Sequence, residues 1–281
     1  MTGNECRRTA SAYAKINLFL DVREKRGDGY HELVSVMQRI SLCDEVTAAK
    51  SRSGVSVVCD AEGLSGEKNL AYAAAQAFYS VSGISGGVDI GIRKRIPIAA
   101  GLGGGSSDAA TVICLMNEIY GLPLSEEQLM RVGFSVGADV PFFIKRCAAA
   151  TVYGAGEKVV PCAGLSGCDI LIAVDGKKGS TGAMYRLLDA VTRKSAEENG
   201  IITALAENNI VKTGENLYNS FEAVYKGESA VRKIMQNGAR GVMLCGSGPC
   251  VFALYDDRSA AEAAEAELLR RGIPAFAARP I

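Results

Sequence analysis

The sequence predicts an α+β fold, and two kinds of pattern support this prediction. Segments such as 13–22 and 87–93 alternate apolar and polar residues, which is typical of strands with one polar face. Other segments follow a side chain that can cap a helix, such as Asn69 before an alanine-rich stretch. Because strands and helices alternate in groups along the chain, we expect them to pack as layers around a core.

The first half of the chain is predicted to contain most of the strands. In segment 13–22 the apolar residues share one face, and Lys15, Asn17 and Asp21 share the other. The other elements predicted here are, in order, a turn at 23–32, strands at 33–42, 45–49 and 54–59, a helix from Asn69 to about Ser80, a strand at 87–93, a helix beginning near Ser106 or Ser107, a short helix with Ser125 and Gln128 as a capping box, a segment at 134–143 interrupted at Gly137 and Pro141, and a hairpin of 147–153 with 157–162.

The second half begins after a change in composition near 163–168, which is the best candidate for a domain boundary. The elements predicted beyond it are, in order, a strand at 169–174, helices beginning near Thr181, Asn216 and Ser229, strands at 241–245 and 250–255 joined by a GSGP loop, a helix with Ser259 and Glu262 as a capping box, and a strand at 274–278.

The charge balance excludes several classes of protein. The 281 residues include 31 Lys and Arg and 31 Asp and Glu, so the formal net charge is zero. A protein that binds nucleic acid or a membrane surface over a large area needs a basic excess, so we expect neither partner. His31 is the only histidine, which excludes a zinc site of the H-E-x-x-H type.

The cysteines and the apolar segments indicate a cytoplasmic protein. The nine cysteines include no C-x-x-C pair, and we expect them to be reduced and mostly buried. Lys15 and Asn17 interrupt the apolar run from Tyr13 to Val22, so we expect no signal peptide. No segment approaches the roughly 18 apolar residues that a membrane span needs.

The glycine-rich segment at 101–107 lies between a predicted strand and a predicted helix. Glycines allow backbone amides to turn toward a ligand, and the first amides of a helix attract an anion such as phosphate. The segment matches neither a Walker A loop nor G-x-G-x-x-G, and its plain alternative is a flexible turn with an ordinary helix cap. The basic triplet 93–95 immediately upstream favours phosphate binding, although such clusters are often solvated surface.

Other polar residues have both a structural and a functional interpretation. Lys15 lies between apolar neighbours, where it needs a carboxylate or phosphate partner unless the strand face is exposed. Asp139 lies in a tight GADVP loop and is either a helix cap or a general base. The GSGP loop at 246–249 permits close approach to a ligand or forms a simple hairpin turn. His31 is either a residue that reads a substrate or an ordinary turn residue.

Five segments, taken in order, resemble the motif series of the GHMP kinases. They are AKINLFL (14–20), GDGYHEL (27–33), PIAAGLGGGSSDAA (97–110), GADVPFF (137–143) and GSGPCVF (246–252). The combination is more specific than the glycine loop alone, and the likeness is weakest over 176–235. Within the family, the first two segments resemble the members that act on cytidine diphosphate-linked methylerythritol in the non-mevalonate isoprenoid pathway.

The resemblance implies a two-domain fold, with residues 1–164 and 165–281 flanking an active site in the cleft. It implies ATP and Mg²⁺ as cofactors, a small-molecule substrate, and a monomer or weak homodimer. Lys15 and Asp139 match the catalytic pair, and no residue is assigned as a metal ligand. The residues implied in ATP binding are Pro97, Ile98, Ala99, Ala100, Gly101, Leu102, Gly103, Gly104, Gly105, Ser106 and Ser107 around the phosphates, and Asn69 and Lys94 near the adenine. The residues implied in substrate binding are Asn17, Tyr30, His31, Thr181, Tyr185, Gly246, Ser247 and Gly248.

The resemblance also implies a mechanism. Asp139 accepts the proton of the attacking C2 hydroxyl, Lys15 is its electrostatic partner, Tyr30 and Tyr185 sandwich the cytosine, and His31 reads its polar edge. Asp108, where some relatives carry Asn, either complements the helix dipole or helps to hold Mg²⁺.

Three other functions remain as alternatives to this activity. They are another GHMP kinase with a mevalonate, homoserine or shikimate type of substrate, a nucleotide-binding regulator on the same fold, and, least favoured, a dehydrogenase.

Overall fold

The structure, a computed structural model, describes residues 7–177, 180–192 and 195–281. The described strands form a seven-stranded sheet and a four-stranded sheet with helices packed on them, so the predicted α+β fold is confirmed. The strands are β1 (Arg7–Lys25), β2 (His31–Ser51), β3 (Gly54–Cys59), β4 (Gly87–Arg93), β5 (Ala149–Gly154), β6 (Lys158–Cys162), β7 (Asp169–Val174), β8 (Tyr218–Asn219), β9 (Gly241–Leu244), β10 (Cys250–Tyr255) and β11 (Ala275–Ala278). The helices are α1 (Leu70–Ser82), α2 (Gly104–Ile119), α3 (Glu126–Val136), α4 (Val140–Ile144), α5 (Thr181–Asp189), α6 (Asn199–Ala206), α7 (Ile210–Glu215), α8 (Ser229–Gln236) and α9 (Arg258–Arg270).

The larger sheet is built around the long antiparallel pair of β1 and β2. Its order is β3-β4-β2-β1-β8, and β5 pairs with β2 and β6. The predicted strands 33–42 and 45–49 are one strand, because β1 pairs with β2 from one end to the other and holds it extended through Asp44. Residues 45–51 of β2 then pair with β4, while residues 33–38 pair with β5.

The helices of the first half begin and end largely where their caps predict. Asn69 caps α1 by accepting from the amide of Ala71, and Ser125 and Gln128 form the capping box of α3. The interruption at Gly137 is confirmed, because this glycine ends α3. The interruption at Pro141 is wrong: this proline lies in the first turn of α4, where a missing amide proton costs nothing.

The smaller sheet has the order β11-β7-β10-β9, and the structure corrects three predictions around it. Helices α6 and α7 were not predicted. No helix begins at Asn216, whose amide instead closes the end of α7 on Lys212. Asp257 caps α9, and the predicted capping box fails because Glu262 pairs with Arg258 at 2.6 Å.

One hydrophobic core joins the two sheets. Ala14 and Ile16 of β1 pack in the same cluster as Ile170 of β7 and Phe252 of β10. In addition, β8 from the second half pairs with β1. The second sheet therefore covers the apolar face of β1, and the polar residues Lys15, Asn17 and Asp21 of the other face are buried as well.

Two further predictions concern membrane-spanning segments and the state of the cysteines. None of the helices among the described residues has both the length and the apolarity to cross a bilayer. The described cysteines are all free, and most of them are buried; Cys6 lies outside the described residues.

Candidate active site

A cavity of about 940 Å³ is lined by β1, the start of β2, the glycine-rich segment, α5 and the GSGP loop, and it collects nearly all the residues that the sequence singled out. Both catalytic candidates line it, as do Asn69, Lys94 and residues 97–106 of the glycine-rich segment. Of the substrate-binding candidates, Gly248 does not line it and packs instead on Leu244 and Tyr225. Ser107 does not line it either, because it is buried inside α2.

The glycine-rich loop is held in place by backbone contacts from both halves of the chain. Lys15 of β1 donates its amide to the carbonyl of Leu102 at 3.0 Å, and Cys250 of β10 donates to the carbonyl of Ala100 at 3.3 Å. At Gly101, φ is +82° and a Cβ would overlap the carbonyl oxygen of Cys245. The loop therefore requires glycine here, both for its conformation and for the close approach of the GSGP loop.

Helix α2 begins two to three residues earlier than predicted, and neither predicted serine caps it. Its N-cap is Gly103, with φ +72° and no side-chain hydrogen bond. Ser106 is thereby left at the cavity wall. Because the first amides of the helix have no side-chain cap and carry the positive end of the dipole, they are a site for an anion such as phosphate.

Lys15 and Asp139 meet across the cavity. Lys15 Nζ lies 3.5 Å from Asp139 Oδ2, and the lysine is only 3% exposed. Asp139 stands at the N-cap position before α4, but its side chain makes no cap hydrogen bond. The alternative that Asp139 serves as a helix cap is therefore wrong, and its carboxylate is directed to Lys15.

Asn17 and Ser35 position Lys15 from behind. Lys15 Nζ donates to Asn17 Oδ1 at 2.7 Å, and Asn17 Nδ2 donates to the hydroxyl of Ser35 at 2.8 Å. Ser35 in turn donates to the carbonyl of Phe19. The register of β1 shifts between Tyr13 and Lys15 and again between Asn17 and Phe19, and such bulges redirect side chains next to functional sites.

Lys94 is held by two carboxylates. Its Nζ lies 2.6 Å from Asp44 Oδ2 and 2.6 Å from Asp108 Oδ2. Burial lowers the pKa of Lys94, but the two carboxylates outweigh burial, so the net direction is upward. Arg93 and Arg95 do not line the cavity, and Arg93 pairs at the surface with Glu45. The basic triplet therefore does not form one positive patch around the loop.

Asp108 is buried and incompletely paired. Its Oδ1 has no hydrogen-bond partner among the described residues, and burial raises the pKa of Asp108 to about 7 in spite of Lys94. Because one oxygen is enclosed and the other is bound to Lys94, the geometry does not favour Asp108 as a direct ligand of a metal ion.

The far end of the cavity is aromatic. His31 stacks on Tyr185 with 4.9 Å between ring centroids, and Tyr30 lies near Phe134 at 6.4 Å. Burial, and after it the charge of Asp139, raises the pKa of Tyr185 to about 12. The structure places Tyr185 against His31, and both Tyr30 and Tyr185 line the cavity.

Helix α5 presents a row of residues to the cavity, and one of them was missed from the sequence. Thr181, Tyr185 and Asp189 are spaced four apart and so share one face of the helix. Thr181 Oγ1 lies 3.4 Å from Ser247 Oγ, and Asp189 Oδ1 lies 2.7 Å from His31 Nε2. The spacing from Tyr185 is the signal that identifies Asp189.

Three basic residues of the cavity wall were also missed. They are Lys25, Lys68 and Arg186. Lys68 precedes Asn69 and Arg186 follows Tyr185, so proximity to predicted residues was their only signal in the sequence. Lys25 ends β1, opposite His31 in the strand pairing.

Two family models match the chain. The model described as "GHMP kinases N terminal domain" matches residues 69–146, and the one described as "GHMP kinases C terminal" matches residues 188–274.

Curated relatives match along most of the chain. The 4-diphosphocytidyl-2-C-methyl-D-erythritol kinase of Clostridium novyi (strain NT) is 41% identical over 255 residues, which are 88% of this chain and 90% of that protein. The kinase of the same name from Geobacter sp. (strain M21) is 40% identical over 278 residues, which are 96% of this chain and 98% of that protein.

Solved structures agree with the sequence matches. A crystal structure of 4-(cytidine 5'-diphospho)-2C-methyl-D-erythritol kinase matches with a TM-score of 0.79 and 35% identity, covering 96% of this chain and 98% of that chain. The homoserine kinase of Cytophaga hutchinsonii ATCC 33406 matches with a TM-score of 0.75 at 16% identity, covering 100% of this chain and 96% of that chain, which shows the same fold. On its two matched domains and its relatives, the chain belongs to the GHMP kinases.

Proposed function

We propose that this GHMP kinase uses ATP to phosphorylate the C2 hydroxyl of 4-diphosphocytidyl-2-C-methyl-D-erythritol, which gives the 2-phosphate. The relatives at about 40% identity carry the name of that activity. One observation of the structure carries the proposal: the Lys15–Asp139 pair lies in a single cavity with an anion-binding loop and an aromatic pocket. Phosphates and a nucleobase therefore each have a matching surface on either side of the reacting groups.

In the proposed mechanism the protein positions the reactants and neutralises charge, as phosphoryl transfer requires. The loop at 97–106 and the first amides of α2 hold the phosphates of ATP. Asp139 accepts the proton of the C2 hydroxyl as its oxygen attacks the γ-phosphorus. Lys15 stabilises the negative charge of Asp139 and of the transferred group, and Asn17 keeps its ammonium in place.

Mg²⁺ fits this site as an ion that accompanies ATP. The described residues contain no group of three or more His, Cys, Asp and Glu side chains that could hold a metal ion by themselves. Mg²⁺ is commonly bound through substrate phosphates with few protein ligands, so this donor set is compatible with it. The hydroxyl of Ser106, at the cavity wall, would be the protein group that holds the ion, and the ion would neutralise phosphate charge.

The test of the proton acceptor is Asp139→Asn. Loss of the carboxylate removes the base but keeps the size of the side chain, so we expect kcat to fall by at least about 100-fold. Because Asp139 does not cap α4, the fold and the affinity for ATP should be retained. Turnover measured by ADP release, with ATP binding measured by calorimetry, separates the two effects. Near-normal turnover would remove Asp139 from the mechanism.

The test of the substrate is a comparison of alcohols in the same assay. We expect ADP release with the diphosphocytidyl alcohol and none with mevalonate, homoserine or shikimate. Product analysis should place the new phosphate on the C2 oxygen. Activity on one of the other three alcohols alone would refute the proposed substrate while leaving the family unchanged.

A further inference from the structure

The only histidine of the chain is held by a carboxylate that the proposed mechanism does not use. Nε2 of His31 lies 2.7 Å from Oδ1 of Asp189, the last residue of α5. The side chain of His31 is 7% exposed, and its ring lies nearly parallel to that of Tyr185, with 24° between the planes. One face and one edge of the imidazole are therefore fixed by protein groups.

This pairing decides which ring nitrogen carries the proton. A carboxylate accepts hydrogen bonds and donates none, so Nε2 of His31 carries the proton in this contact. In the neutral imidazole, Nδ1 is then a bare acceptor. Within the part of the chain that the structure describes, Nδ1 has no hydrogen-bond partner. Since His31 lines the cavity, this acceptor is available for a ligand.

We propose that Asp189 fixes this tautomer so that Nδ1 of His31 accepts a hydrogen bond from the 4-amino group of cytosine and discriminates against uracil. The inference rests on the proposed function, because it concerns the base of that substrate. The 4-amino group of cytosine is a donor, whereas uracil carries an acceptor oxygen at the same position. Two facing acceptors in a buried pocket would both lose a hydrogen bond, which is costly.

Asp189 is a positioning residue in this proposal, since it acts on the base only through His31. His31 begins β2 and Asp189 ends α5, so the pair joins two walls of the cavity. The contact would also exist if Asp189 merely stabilised the end of α5. The two interpretations differ in the tautomer of His31 and in base selectivity, which a purely structural contact does not control.

The tautomer is directly measurable because the protein has a single histidine. With ¹⁵N-labelled histidine and no affinity tag, the two ring signals come from His31 alone. At about pH 8.5, where an ordinary imidazole is neutral, we expect Nε2 to show the shift of a protonated nitrogen and Nδ1 that of a bare one. A wild-type spectrum with the proton on Nδ1 overturns the proposal.

Base selectivity is the second measurement, taken as the ratio of kcat/KM for the cytidine-linked substrate to that for its uridine-linked analogue. Asp189→Leu removes the acceptor, and we expect the ratio to fall by about tenfold or more. In Asp189→Asn the side-chain amide can donate to Nε2 of His31, which moves the ring proton to Nδ1. The selectivity ratio of this variant should fall if its ¹⁵N spectrum shows the proton on Nδ1, and should stay at the wild-type value if the proton remains on Nε2.

The control is Asp256→Asn, which removes a carboxylate from an exposed pair with Arg240. Its selectivity ratio should equal that of the wild type, and thermal unfolding should show that all variants are folded. An unchanged ratio in Asp189→Leu overturns the inference even though wild-type turnover of the cytidine-linked substrate upholds the proposed function. A wild type that does not turn over that substrate refutes the proposed function instead.

Discussion

At the scale of single residues, the two buried lysines of the site differ in how many carboxylates they pair with. Lys15 has Asp139 and Asn17, whereas Lys94 is shared between Asp44 and Asp108. The shared lysine neutralises only one of its two carboxylates. Asp108 is the less favourably placed of these, because its Oδ1 is enclosed and finds no partner in the described part of the chain.

Asp108 should make stability depend on pH, and Asp108→Asn should reduce that dependence. Burial raises the pKa of Asp108 from its model-compound value of 3.8 to about 7. The folded state therefore binds a proton at Asp108 that the unfolded state has lost between about pH 4 and pH 7. Its contribution to stability is present below this window, and the free energy of unfolding falls as the pH rises through it. In the variant this fall should be smaller.

Urea unfolding at a series of pH values measures this effect. Asp256→Asn, in which the lost carboxylate is at the surface, is the matched control and should keep the wild-type pH profile. If Asp108→Asn and the control have the same profile, Asp108 does not take up a proton on folding.

At the scale of elements, the site depends on how the ends of strands and helices abut. The glycine-rich loop is bonded to β1 and β10, and the loop between β9 and β10 packs against it at Gly101. Helix α5 aligns Thr181, Tyr185 and Asp189 on the opposite wall. The surfaces proposed to bind phosphate and base therefore come from separate elements, which only their packing brings together.

Gly101→Ala should damage the loop through two effects at once. The new Cβ would overlap the carbonyl of Cys245, and φ of +82° is unfavourable for alanine. Because the loop must shift, we expect KM for ATP to rise by about tenfold or more. Steady-state kinetics and ATP calorimetry measure this.

Gly83→Ala is the control for conformational strain alone. Gly83 ends α1 with φ of +67°, and a Cβ there meets open space. This variant should lose about 1 kcal/mol of stability without a change in KM for ATP. Equal kinetics in the two variants would show that the contact between the loops is unimportant.

At the scale of the whole molecule, the two halves share a core and several hydrogen bonds. Gln38 of β2 is fully buried at their junction. Its Oε1 accepts from the amide of Leu165 at 2.8 Å, and its Nε2 donates to the carbonyls of Arg39 and Ala148. The predicted division at 164/165 thus falls where Gln38 ties the connecting segment to the larger sheet; the division itself stays a prediction.

Gln38→Leu should destabilise the protein as a whole. It leaves the amide of Leu165 buried without its partner, and one such unsatisfied group costs about 1–3 kcal/mol. Gln76→Leu is the control, since Gln76 is exposed on α1 and its side chain donates to the hydroxyl of Tyr72 on the same helix. We expect its effect to stay within about 0.5 kcal/mol. Equilibrium urea unfolding of both variants checks the difference, and equal losses would contradict a role of Gln38 at the junction.

Much of the fold follows from local signals, and the exceptions have physical causes. Asn69 and the Ser125–Gln128 box predict helix starts because a cap acts within a few residues of its own position. The start of α9 was misplaced by two residues, because Asp257 and Ser259 can both cap a helix and Glu262 pairs with Arg258 instead of completing a capping box. Helix α7 was missed although Asn209 caps it locally. Helix α6 has no side-chain cap, and its Ile201 and Leu205 pack into the core that joins the two sheets.

The sequence by itself determined the order of the motifs, the α+β fold, the candidate anion-binding loop, and the candidate pair of Lys15 and Asp139. These are local properties, because they depend on residue type, spacing and backbone preference. Only the tertiary structure decided that the carboxylate of Asp139 pairs with Lys15 and does not cap α4. It also decided that Lys94 pairs with two carboxylates and that Asp189 binds His31. Each of these contacts joins residues far apart in the chain, and its free energy depends on burial and distance, which no segment of sequence specifies alone.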